Sequence, residues 1–199
     1  MKKTLTVLLA LVLVIAMSVA GTMAYLTDKD TVTNTFTVGN VKITMDEQDT
    51  DHDTNTADNV VVNGETRDKA NSYKLIPGHT YDKDPIVRVA AGSEDCWLFV
   101  KVDNQIATIE DADKSVASQM ATNGWTLEDA ANNIYSYKSI VSAGANVPVF
   151  TNFTIDGEVI NTALAAYNGK TIVVKAYAVQ ADNFGTAAAA LEAAPFPTT

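Results

Sequence analysis

The chain carries a single cysteine, Cys96, so no disulfide can form within it. Histidine is nearly as scarce: His52 and His79 stand far apart. Zinc hydrolases need two histidines one helical turn apart with a glutamate beside them, and that pattern is absent. No G-x-S-x-G, P-loop or G-x-G-x-x-G occurs, which removes the usual signatures of a nucleophile elbow and of phosphate or dinucleotide binding. Basic residues are few, 14 against 24 acids for a net charge of −10. That balance disfavours nucleic acid and anionic lipid as partners. Taken together, these absences argue against an enzyme.

What is present begins with an export signal. Lys2 and Lys3 precede an apolar run from Leu5 to Ala20, interrupted only by Thr6 and Ser18. The run is slightly short for a bilayer span of about 20 residues, and small residues follow it, so a cleaved leader is preferred to a permanent anchor. Thr22 and Ala24 have the small side chains a signal peptidase selects, giving residues 1–24 as leader and Tyr25 as the mature N-terminus. Cleavage after Ala20, with Ser18 at the other subsite, competes. Lys2 and Lys3 leave with the leader and no acid does, so the exported part is more acidic than the whole chain. The remaining 25–199 suffices for one domain with its own core, held by packing or a metal since no disulfide is available.

Short β-branched and aromatic runs alternate with Gly, Asn, Asp and Pro at turn-like positions, the pattern of an antiparallel β-sandwich with a few short peripheral helices. Val32, Asn34, Phe36 and Val38 share a face; after Gly39-Asn40 the apolar phase slips to Val41, Ile43 and Met45. Residues 46–71 read as a long acidic loop or hairpin with a turn at Asn63-Gly64. Ile86 to Val89 predicts a strand with Pro85 at its start. Cys96-Trp97-Leu98-Phe99-Val100 is apolar on both faces, which predicts a central strand in which Cys96 is a small buried hydrophobe. Short helices are expected between Ile106 and Met120, strands at Trp125, Ile134–Tyr137, Val147–Phe153 and Thr171–Gln180, and an alanine-rich helix begun near Thr186 and stopped by Pro195.

Within the acidic loop, Asp49, Asp51 and Asp53 stand at alternate positions, as in the first half of a calcium loop. Thr54 replaces the required glycine and Val60 the bidentate glutamate, so a solvated loop is preferred to a calcium site. No other cofactor is indicated. Trp125, Tyr135 and Tyr137 could form an exposed platform for a glycan or a plain core, and core is preferred.

Gly21-Thr22-Met23-Ala24-Tyr25-Leu26-Thr27-Asp28, followed by Asn34-Thr35-Phe36-Thr37-Val38-Gly39-Asn40-Val41, resembles the processing junction of the TasA/camelysin-type family of Firmicutes. Leu75-Ile76-Pro77-Gly78 with Lys83-Asp84-Pro85, and Ala176-Tyr177-Ala178-Val179-Gln180, resemble further segments of that family. The resemblance implies a jelly-roll-like sandwich, processing by a W-type signal peptidase, and a place at the cell surface, on spores or in biofilm matrix as a fibre subunit or accessory. Membrane contact is then confined to export, and the other partners are further copies or related matrix proteins. One branch is described as a metalloprotease; the absence of a zinc motif blocks that transfer. A cation- or glycan-dependent adhesin is the alternative. If the chain polymerises, the strand bearing Phe36, Val38, Val41 and Ile43 is the segment expected to pair with an open sheet edge.

Overall fold

The computed structural model describes residues 40–51 and 59–197, together with Lys3. The chain divides into two units, Met1–Val38 and Gly39–Thr199, and the second is described below. The rest of the leader, the Ala24–Tyr25 junction, Phe36, Val38, His52 and Asp53 lie outside the described residues.

The described chain is all-β, built from antiparallel sheets with three short α-helices. Strands β1 (Ile43–Gln48), β2 (Val60–Val62), β3 (Glu65–Asp68), β5 (Ile86–Val89) and β9 (Asn146–Pro148) form one sheet in the order β2-β3-β1-β5-β9. Strands β6 (Cys96–Asn104), β7 (Trp125–Asp129), β8 (Ile134–Tyr137) and β11 (Ile172–Gln180) form a second in the order β11-β6-β8-β7, and β4 (Thr80–Asp82) pairs with β10 (Asn152–Thr154). The helices are α1 (Val116–Asn123), α2 (Asn161–Leu164) and α3 (Ala187–Ala193). Ser115 caps α1 by accepting the Ser118 N–H, and Thr186 caps α3 by accepting the Ala189 N–H, each satisfying a donor that the helix start leaves open.

Strand β6 organises the core because both of its faces are apolar. Leu98, Val100 and Val102 join Val87, Val89 and Val147 of the five-stranded sheet in the main cluster. Trp97 and Phe99 point the other way, into a second cluster with Ala187, Ala190 and Phe196. The central position expected for this strand is the one found, between β11 and β8. Cys96 is fully buried, and burial pushes its thiol up to about 11, as suits an inert packing residue.

The acidic segment departs from expectation. The loop read over 46–71 starts late, because Asp46, Glu47 and Gln48 belong to β1, and Asp46 and Glu47 are buried. Residues 60–68 form the β2–β3 hairpin, whose Asn63-Gly64 turn has positive φ at both positions, 52° and 87°, as a two-residue hairpin turn requires. Acidic residues hid the Asp46–Gln48 end of β1 from an apolar-alternation reading that did mark Ile43 and Met45. The burial of the two acids is offset by partners contributed from other strands, and those partners build the site.

Candidate functional site: a buried carboxylate between a lysine and an asparagine

Register brings the site together. Glu47 of β1 pairs with Asp68 of β3, and Asp46 pairs with Ile86 of β5. Glu47 therefore lies between the stretch just after β3, which carries Asn71, and the stretch just before β5, which carries Lys83.

Two buried ionic groups result. Asp46 accepts from Arg67 Nε and from Arg88 Nε and Nη2 at 2.7 and 2.9 Å, while Arg67 Nη2 also donates to the Asp84 carboxylate at 3.1 Å. Burial pushes the Asp46 carboxyl up, but the hydrogen bonds and charges of Arg88 and Arg67 outweigh it and hold the group below its ordinary value. Beside it, Lys83 Nζ lies 2.5 Å from Glu47 Oε2, with both side chains buried. The other oxygen, Oε1, accepts from Asn71 Nδ2 at 3.0 Å.

Asn71 is held on both ends. Its Nδ2 also donates to the Gln48 carbonyl at 2.9 Å, and its Oδ1 accepts from Thr50 N at 2.7 Å, Asp51 N at 3.3 Å and Thr50 Oγ1 at 3.0 Å. The carboxylate and carbonyl can only accept and the backbone N–H groups can only donate, so this network fixes which way the amide faces. Tyr73 stands beside it: Thr50 Oγ1 lies 3.4 Å from its hydroxyl, which donates to the Asp82 carbonyl at 2.9 Å. Burial, with the nearby Glu47, Asp51 and Asp84 charges, pushes the Tyr73 phenol up to about 12. A cleft of about 780 Å³ opens alongside, lined among others by Glu47, Asn71, Lys83, Phe153, Leu164 and Ile172.

Of the acidic-loop residues singled out from the sequence, Asp49 and Asp51 come together, but with Asp68: one oxygen of each lies within 4.8 Å of the others. Asp68 accepts from Lys69 N and Ala70 N, and Asp51 accepts from Ser72 N. These bonds account for two of the three carboxylates, Asp68 in its own turn and Asp51 in a long-range link to Ser72, and proximity alone assigns no ion. Val41 and Ile43 pack against the chain's own core. Trp125 is buried, with Nε1 donating to the Pro148 carbonyl, and Tyr135 and Tyr137 pack half-buried against the same core. His79 is exposed, edge-on to Tyr81.

Sequence reading missed Glu47, Asn71 and Lys83 as a group. Lys83 falls within the family-like Lys83-Asp84-Pro85 segment, but nothing in the sequence ties it to the other two.

A further buried carboxyl, Glu110, has partners of its own. Glu110 Oε2 accepts from Asn104 Nδ2 at 3.0 Å and Val116 N at 3.4 Å, whereas Oε1 is buried without a partner. Burial pushes this carboxyl up against the pull of those two bonds. A raised folded-state value makes the group favour folding at low pH, and that contribution fades as pH rises through it. Glu110→Gln is therefore expected to be more stable than the parent at neutral pH, by about 1–3 kcal/mol for relieving an unpartnered buried charge. The gap should close below the ordinary glutamate range, where the parent is protonated in both states. Thermal melts across that range check it, and parallel pH profiles would exclude it.

Compared with known proteins, the chain has no matching family model and no significant match among curated proteins or solved structures.

Proposed function

We propose that this chain is an exported structural protein of the TasA/camelysin kind, a jelly-roll-like sandwich freed at Ala24–Tyr25 by a W-type signal peptidase. Once freed, it self-associates or joins related matrix proteins at the cell surface. The observation that carries this reading is β11. It pairs with β6 along all nine residues, and among the described residues it has no second strand neighbour. A long edge of this kind is a template for strand addition. The cleft of about 780 Å³ runs beside its Ile172–Val174 end.

Val41 and Ile43 serve the chain's own core, so the pairing segment narrows to the residues before Gly39, with Phe36 and Val38 as its apolar face. Addition to another copy is a heterologous contact that does not close, and it propagates as a filament. Against the glycan side of the adhesin alternative, Trp125 is buried, which leaves only the half-buried Tyr135 and Tyr137 of the three aromatics it would use. The test is negative-stain microscopy and sedimentation of protein starting at Tyr25 beside protein carrying extra residues ahead of Tyr25. Filaments are expected from the first alone; stable monomers from both would overturn the reading.

A further inference from the structure

We propose that Lys83 and Asn71 become joined by an intramolecular isopeptide bond, formed autocatalytically with Glu47 as the proton carrier. The geometry places a nucleophile, an electrophile and a carboxylate shared between them. Lys83 supplies the nucleophile, buried and in contact with Glu47 Oε2 at 2.5 Å. Asn71 supplies the electrophile, its side-chain carboxamide. Its Oδ1 already accepts two backbone N–H groups, from Thr50 and Asp51, and the Thr50 hydroxyl. Those donors polarise the carbonyl and stand ready for the negative charge that gathers on Oδ1 as Cγ is attacked, the arrangement of an oxyanion hole. The leaving nitrogen, Nδ2, rests on Glu47 Oε1 at 3.0 Å. One carboxylate thus touches both the nitrogen that must lose a proton and the nitrogen that must gain one.

The step balances without a co-reactant. Glu47 Oε2 takes a proton from the Lys83 ammonium, and the freed amine lone pair attacks Asn71 Cγ to form the Nζ–Cγ bond. The tetrahedral intermediate passes its second Nζ proton through Glu47 to Nδ2, the Cγ–Nδ2 bond breaks, and ammonia leaves. Ammonia then picks up the proton still held by Glu47. In total, an ammonium and a carboxamide become a secondary amide and an ammonium ion, and Glu47 returns to carboxylate. Burial favours this outcome, because it limits the water that could compete for Asn71 Cγ. Glu47 is 4 % and Lys83 9 % exposed, with Tyr73 packed close by.

Such a bond would give the chain a covalent closure that its single cysteine cannot. It would tie the end of the β2–β3 hairpin to the approach to β5 and close the loop that carries Pro77-Gly78 and β4. The proposal is independent of whether the chain polymerises.

Intact mass and peptide mapping of the full chain, purified after expression, test it. The expected result is a mass short by one ammonia and a branched peptide containing Lys83 joined to Asn71. Glu47→Gln and Lys83→Arg should both show the full mass of their sequences; Lys83→Arg keeps the ion pair with Glu47, and circular dichroism establishes that it folds. Folded parent protein with separate Lys83 and Asn71 peptides would overturn the proposal. So would a missing ammonia that maps to Asn63-Gly64, where backbone cyclisation of the asparagine gives the same mass change.

Discussion

Asp46→Ala is expected to destabilise the protein by about 3 kcal/mol, the lower end of the cost of removing one partner from a buried ion pair. Asp46 is the carboxylate on which Arg67 and Arg88 converge, and its side chain is only 3 % exposed. Arg67 keeps Asp84 after the change. Arg88 has no other carboxylate within ion-pair distance among the described residues, but at 17 % exposure it can draw some water, which holds the loss to the lower end. Asp46→Asn, which retains an acceptor, should cost less. The pH dependence has a definite sign. The folded-state value of Asp46 is depressed, so its stabilisation is present above the ordinary carboxyl range and is lost as pH falls through the folded value. The difference between parent and Asp46→Ala should therefore shrink in acid. Urea denaturation at neutral and acid pH measures both effects, and an unchanged midpoint at neutral pH would show that the paired arginines do not hold β1, β3 and β5 together.

Asp46 also marks where sequence reading loses its grip. Strand β6 was legible because Leu98 and Val100 alternate with Trp97 and Phe99, and hydrophobic burial on both faces leaves a local signature. The Asn63-Gly64 turn was legible because few other pairs adopt positive φ at two successive positions. Asp46 and Glu47 were not, because their burial depends on cations supplied from β3, β5 and the segment before β5. Arg67 lies 21 positions from Asp46, and Lys83 lies 36 positions from Glu47. A period-two reading marks an acid as a solvent-facing residue and carries no information about which cation the sheet register will place beside it. The same holds for Asn71, which looked like the end of a polar loop. Its side chain is fixed by Thr50, Asp51, Gln48 and Glu47, none of them a sequence neighbour. Asp68 joined Asp49 and Asp51 for the same reason: the hairpin returned it to β1.

Phe153→Ala is expected to cost about 3–5 kcal/mol, as large-to-small changes at buried aromatics do. Phe153 is 1 % exposed and stands at the meeting of two strands and the site. It pairs across the β4–β10 ladder with Tyr81, stacked at 5.0 Å between ring centroids, and Tyr73 packs edge-on to it at 5.1 Å. Each such ring pair adds about 0.5–1.5 kcal/mol beyond area burial, so the loss exceeds that of an aliphatic side chain of equal area. Phe153 also lines the cleft that reaches Glu47, Asn71 and Lys83. Removing its ring leaves a void that opens into the cleft rather than a sealed apolar hole, so water can enter it. Tyr73 reports on that entry. Its phenol stands at about 12, chiefly through burial, and in Phe153→Ala it should move back toward its ordinary value. Phe153→Leu, which keeps the wall closed, should lose less stability and leave Tyr73 near its parent value. Denaturant melts with spectrophotometric tyrosine titration on the three proteins separate the two effects. A stability loss with Tyr73 unmoved would mean that Phe153 packs the strands without keeping the site dry, and that other groups exclude water from Glu47.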